Sequence, residues 1–121
     1  MQAQFDVFQS KKNNRWYWTL IAPNGEPILK TAQADGFDKP NNAKDECIDT
    51  AKAVITQKAG KQTIERFDSA GGKPMFRVVS TDGDKLGVSE EYETPGGRAK
   101  GIDAVLEHAP QAEIVIAHEP R

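Results

Sequence analysis

The chain is poor in the residues from which small proteins build staples and metal sites. Its 121 residues include one cysteine, Cys47, and two histidines, His108 and His118. A single cysteine excludes an intrachain disulfide, and its place inside a helical pattern points to an inert buried thiol. Neither histidine stands four residues from the other or near the cysteine at ligand spacing, so a zinc site would have to be gathered from distant parts of the chain. No stretch approaches the roughly 18 to 20 apolar residues that a membrane crossing needs. The amino terminus, MQAQFDVF, also lacks a basic region followed by an apolar core, so the expectation is a cytoplasmic protein with no membrane segment. Charge of one sign does not accumulate either. Sixteen basic and eighteen acidic side chains leave a formal charge of -2, without the basic blocks of a nucleic-acid or acidic-membrane binder.

Catalytic signatures are missing in the same way. The glycine pairs Gly71-Gly72 and Gly96-Gly97 lack the Lys-Ser/Thr ending of a phosphate loop. Ser80, Ser89 and Cys47 sit in no nucleophile elbow and have no local base. The acidic Asp45, Glu46 and Asp49 read as the solvated start of a helix, favoured by its positive end. The expectation is a non-catalytic protein that needs no cofactor or metal; an active site assembled from scattered residues is the enzymatic alternative.

What is present is a repeat. Arg15 to Lys30, RWYWTLIAPNGEPILK, returns in shorter form at Pro74 to Val88, PMFRVVSTDGDKLGV. In each copy an alternating apolar run enters an Asn-Gly or Asp-Gly turn and leaves in a second apolar run, the strongest short-range hairpin signal. Asn24-Gly25 and Asp82-Gly83 are read as tight turns that use positive backbone angles. Gly25 and Gly83 lie 58 positions apart, and a helical pattern follows each hairpin. A unit of about 60 residues is marginal alone, so the expectation is one domain, 1-121, of two repeats, approximately 1-70 and 71-121, sharing a core.

Periodicity assigns the faces. Trp16, Trp18, Leu20 and Ala22 share the side to be covered by a helix, with Pro74, Phe76, Val78 and Ser80 as counterparts. Tyr17, Thr19 and Ile21, with Met75, Arg77 and Val79, fall on the other side. An earlier strand holds Phe5 and Val7, and a polar loop, residues 33-42, carries Phe37. Asn41 or Asn42 should cap a first helix with the stripe Ala43, Cys47, Ile48, Ala51, Val54 and Ile55, ending near Lys58-Ala59-Gly60. A strand at Gln62 to Asp68 follows. The second helix is expected over 97-108 with Ala99, Ile102, Val105, Leu106 and Ala109 inward, before a last strand from Glu113 to His118. The second copy lacks a counterpart of the Phe5 strand unless the linker between the copies supplies it.

The doubled order resembles the YegP-like family of small bacterial proteins of unknown function, which occur as single or tandem repeats. The resemblance is carried by Trp18, Leu20, Asn24, Gly25, Ile28, Phe37 and Ile48, and again by Phe76, Val78, Asp82, Gly83, Leu86, Ser89, Tyr92 and Ile102. It implies an α+β fold of two β-β-β-α-β-like units forming one antiparallel sheet, with helices on one face and the last strands exchanged. The first copy departs from the family in its longer loop and helix, and Ala32-Gln33 stands where Glu90 follows Ser89. The resemblance implies no activity, cofactor or ligand.

Two surfaces remain as candidates. The uncovered sheet face, centred on Tyr17, Ile21, Met75 and Val79, is the candidate for contact with a protein partner. The cluster Lys11, Lys12 and Arg15, with Arg77 and the neighbouring Trp16 ring, is the basis for the alternative of weak single-stranded nucleic-acid binding. Because two copies can supply each other's strand pairing, a monomer is expected.

Overall fold

The computed structural model describes residues 2–32, 43–56, 64–80, 83 and 85–119. Three strands, β1 (Gln4–Gln9), β2 (Trp16–Ile21) and β3 (Pro27–Thr31), precede helix α1 (Ala43–Thr56). Strands β4 (Ile64–Asp68), β5 (Pro74–Val79) and β6 (Lys85–Val88) precede helix α2 (Pro95–His108), a single 3-10 turn and strand β7 (Glu113–Ile116). The seven strands form one sheet in the order β4-β5-β6-β3-β2-β1-β7. The expectations placed on Phe37, Asn41, Asn42, the loop 33–42, the helix end at 58–60, Gln62 and Asp82 lie outside the described residues.

The exchange of terminal strands is visible in the pairing. β4 follows α1 yet pairs with β5 of the second copy, and β7 follows α2 yet pairs with β1 of the first. The β1–β7 ladder is parallel, so the sheet is mixed rather than wholly antiparallel. This follows from the connection, since a strand that returns through a helix can lie parallel to its neighbour whereas a hairpin cannot. β4 also answers the question of the missing strand. Ile64 faces Val78 as Phe5 faces Leu20, and Glu65 faces Arg77 as Asp6 faces Thr19. The strand that closes the first copy along the sequence therefore opens the second copy in space.

The hairpins use a different device from the one the Asn-Gly pair suggested. The Gly25 amide donates to the Ala22 carbonyl at 2.8 Å and the Ala22 amide to the Glu26 carbonyl at 2.8 Å. Among the described residues Asn14 is the one non-glycine with positive φ, so Gly25 alone supplies the left-handed residue, at φ 89°. This is a longer turn closed by a glycine bulge, and the pairing register steps between Leu20 and Ile21 accordingly. Gly83 repeats the angle, and the register of the second hairpin steps between Val78 and Val79.

Both helices lie on the Trp18–Phe76 face. Phe5, Val7, Trp18, Leu20, Phe76 and Val78 from the sheet are buried with Cys47, Ala51 and Val54 of α1 and Ile102 and Val105 of α2. α1 touches β6 as well as β1 and β2, and α2 touches β3 as well as β5, so each helix rests on strands of both copies. The Trp18 indole donates from Nε1 to Thr50 Oγ1 at 2.8 Å, and Thr50 donates on to the Cys47 carbonyl. Burial pushes the Cys47 thiol from 9.0 up to about 12, which keeps it neutral and unreactive near neutral pH. Thr94 caps α2 by accepting from the Gly97 amide at 3.0 Å, two residues earlier than the helix expected from sequence. Ala99, expected inward, is exposed, and Gly101 takes the inward place. A β-carbon at Gly101 would collide with the Tyr92 ring, so Tyr92 occupies the room that a larger residue would fill.

Candidate functional site

The strands present alternate side chains to the face that no described helix covers: Asp6 and Phe8 from β1, Tyr17, Thr19 and Ile21 from β2, Lys30 from β3 and Val88 from β6. Of these, Asp6, Phe8, Thr19, Ile21, Lys30 and Val88, together with Glu90 just past β6, line a trough of about 580 Å³. A second depression of about 340 Å³ adjoins it, shares Phe8, Thr19, Lys30 and Val88, and is bounded by Tyr17 and Met75. At one end the Phe8 and Tyr17 rings stack at 5.9 Å with 22° between their planes. Asn13, in the β1–β2 turn, donates to the Tyr17 hydroxyl at 2.8 Å and fixes its position. The trough thus has an apolar floor, an aromatic end wall, two carboxylates and one ammonium on its rim. A volume of this size lies within the roughly 300–1,000 Å³ typical of ligand sites.

Of the four residues expected at a protein contact, Tyr17, Ile21 and Met75 are half-buried. Tyr17 and Met75 border the smaller depression and Ile21 lines the trough. Val79 is a correction: it is 6% exposed and cannot be a contact residue. The register step between Val78 and Val79 breaks the alternation there, so two consecutive valines are buried. The core face of β2 and β5 agrees with the periodicity, with Trp18, Leu20, Phe76 and Val78 all buried.

The basic residues are not brought together. Lys11 and Lys12 are exposed in the β1–β2 turn, where the Asn13 side chain accepts from the half-buried Arg15's amide. Arg77 lies on β5, three places from β2 in the sheet, or about 14 Å at the usual strand spacing. Its guanidinium is already occupied: Cζ stands 4.2 Å over the Phe67 ring and Nε is 3.0 Å from Glu65 Oε1. The buried Nε–H is not aligned with that oxygen for a hydrogen bond, so the contact is an ion pair. Trp16 packs against the core and carries the Lys44 ammonium 5.7 Å from its ring centroid. The four basic residues therefore do not make one electropositive surface.

The sequence reading missed Asp6, Phe8, Lys30, Val88 and Glu90 as trough residues. Their signal was present in the strict offset between the copies, because β1 pairs residue by residue with β2 as β4 does with β5. A further groove, about 380 Å³, runs between the β2–β3 turn and α2 and is walled by Tyr92, Gly97, Gly101 and His108. Among the described residues no three His, Cys, Asp or Glu side chains gather as a metal site. No described helix is long and apolar enough to cross a membrane.

Comparison with known proteins places this arrangement among relatives. A profile described as a domain of unknown function (DUF1508) matches residues 69–115. A UPF0339 protein of Methanosarcina acetivorans is 41% identical over 53 residues, which cover 44% of this chain and 91% of the relative. A UPF0339 protein in the ptx operon 5' region of Stutzerimonas stutzeri is 28% identical over 115 residues, covering 95% of this chain and 96% of the relative. The solution structure of yegP, a protein of unknown function from E. coli, matches with a TM-score of 0.76 at 21% identity. It covers 98% of this chain and 97% of that one, a likeness of fold alone.

Proposed function

The chain belongs to the UPF0339, YegP-like family, whose names carry no activity, and we propose that it is a non-catalytic binding module whose sheet face opposite the described helices receives a protein segment. The observation that carries this reading is the trough of about 580 Å³ on that face, floored by Ile21 and Val88 and walled by Phe8. Tyr17, Ile21 and Met75 remain in the contact surface and Val79 leaves it. Protein contact is favoured over nucleic acid because Asp6 and Glu90 stand on the rim, where they would repel phosphate, while Arg77 is held by Glu65 and Phe67. We read the module as a monomer, since its exchanged strands find their partners within one chain. We place it in the cytoplasm, where a lone buried thiol such as Cys47 stays reduced.

The test makes no assumption about the partner's composition. Peptides selected from a random library against the folded protein are mapped by the backbone amide shifts they cause. The expected result is a recurrent class of ligands whose shifts centre on Phe8, Tyr17, Ile21 and Lys30 and whose binding falls at least about tenfold in Ile21→Asp, the loss expected for a charge set against a buried apolar contact. Recurrent ligands that map to the helices or to a sheet edge, or selection that enriches nothing, would overturn the reading.

A further inference from the structure

The two copies carry an equivalent carboxylate and phenylalanine on the face that no described helix covers, but place different residues across from them. In the second copy Glu65 and Phe67, two residues apart on β4, hold Arg77 from the neighbouring strand, the guanidinium 4.2 Å over the ring and 3.0 Å from the carboxylate. In the first copy the equivalents are Asp6 and Phe8, two residues apart on β1. The residue across from Asp6, where Arg77 lies across from Glu65, is Thr19. A carboxylate and a ring are thus set out as in the second copy, and the short threonine side chain does not reach the space that the Arg77 guanidinium takes there. That space is part of the trough, which Asp6, Phe8 and Thr19 all line.

We propose that the trough is an arginine receptor: the Asp6 carboxylate and the Phe8 ring take the guanidinium of an arginine presented by an extended segment of a partner protein. This rests on the reading of the face opposite the described helices as a contact surface and names the chemistry that the face selects. Three observations converge on that occupant. The chain itself demonstrates the pairing at Arg77, with the guanidinium near ring and carboxylate as cation–π and ion-pair contacts require. The rim charge is complementary, with Asp6 and Glu90 against Lys30. The trough is also larger than one side chain fills, and the half-buried Ile21 and Val88 offer apolar surface to the residues flanking the arginine. A carboxylate has about four acceptor sites, so Asp6 can take a guanidinium alongside its existing contacts. Tyr17, stacked on Phe8 and pinned by Asn13, holds the ring in place.

The probe is a blocked pentapeptide, acetyl-Val-Leu-Arg-Leu-Val-amide, titrated into isotope-labelled protein. It is compared with the same peptide carrying citrulline, the neutral isostere, and with N-acetylarginine amide alone. The arginine peptide should give saturable shifts at the amides of Asp6, Phe8, Thr19 and Lys30, and the citrulline peptide should bind about tenfold more weakly, in line with a cation–π contact and a charge-assisted hydrogen bond. Thr19→Arg should abolish binding by completing the first copy as the second is completed. If that variant does not fold, Asp6→Asn should weaken binding by about fivefold. An arginine peptide without saturable shifts, equal affinity of the citrulline peptide, or full binding to either variant would overturn the proposal. Equal affinity of N-acetylarginine amide would overturn the assignment to a protein segment. Library peptides that occupy the trough without carrying arginine would sink the arginine inference and leave the contact surface standing.

Discussion

Threonine at position 19 and arginine at position 77 occupy the same place in the two halves of the sheet, and so do Leu29 and Gly87, yet the two differences have opposite outcomes. On the core face the difference is compensated. A β-carbon built on Gly87 would stand 2.8 Å from both Trp18 Cη2 and Leu29 Cδ2, so the first copy's larger side chains reach across and use the room that glycine leaves in the second. Phe76, the counterpart of Trp18, instead stacks against Tyr92 at 6.2 Å. On the outer face the two halves stay unequal among the described residues: Arg77 fills its half over Phe67, and Thr19 lines a trough in the other. A closely packed interior forces neighbours to adjust to one another, whereas a surface can keep the asymmetry, which makes it available for recognition.

The comparison can be broken most severely by separating the halves. Residues 1–70 would leave β4 without β5, β1 without β7 and β3 without β6, and would strip α1 of its contact with β6. Such a fragment should show no cooperative urea transition by circular dichroism and should self-associate in light scattering, while the intact chain scatters as a monomer. A cooperative, monomeric fragment would mean that the two copies do not share a core.

The core side of the comparison is tested by a smaller change. Gly87→Ala should cost about 1–3 kcal/mol in urea denaturation, because the new methyl group meets Trp18 and Leu29. In a Trp18→Phe background the added cost should shrink, giving a coupling of about 0.5–3 kcal/mol. Strict additivity of the two substitutions would show that Trp18 does not occupy the space over Gly87.

The smallest effect is expected on the outer face. Arg77→Thr gives the second copy the first copy's residue and removes a half-exposed ion pair, a change of about 0–1 kcal/mol. A loss above about 2 kcal/mol would assign Arg77 a structural role that an exposed pair does not carry.

Much of the fold could be read from residues 15–30 and 74–88 because hairpins are local: the glycine after the turn, the alternation and the offset are all written within a few positions. The core face was equally legible, since Trp18, Leu20, Phe76 and Val78 obey a period of two. The parallel pairing of β7 with β1 was not, because no local pattern in Ile114 and Ile116 states which strand they meet. β4 was read as the end of the first copy because it follows that copy's helix and precedes the junction; its exchange into the other copy was expected from the family resemblance, but its place as the counterpart of β1 emerges from the register with β5. Val79 failed for a related reason, since a single register step cancels the alternation on which the assignment rested. The trough depends on side-chain length at one matched pair, Thr19 and Arg77. That contrast was in the sequence, but its meaning required knowing that Glu65 and Phe67 surround the longer of the two.

Lys30 faces Val88 across the central ladder, and these two residues are each other's equivalents. In an assembly of two identical repeats, one gene would write both positions, and a lysine at this place would confront another lysine directly across the strands, which is destabilising. Encoding the repeats in tandem removes that constraint. Each codon at the symmetry axis can be altered without altering its mirror image, so an ammonium on one side can be answered by an aliphatic side chain on the other. A fused pair can thereby acquire one cleft where a symmetric pair must carry two or none, and the central position is where that freedom is greatest.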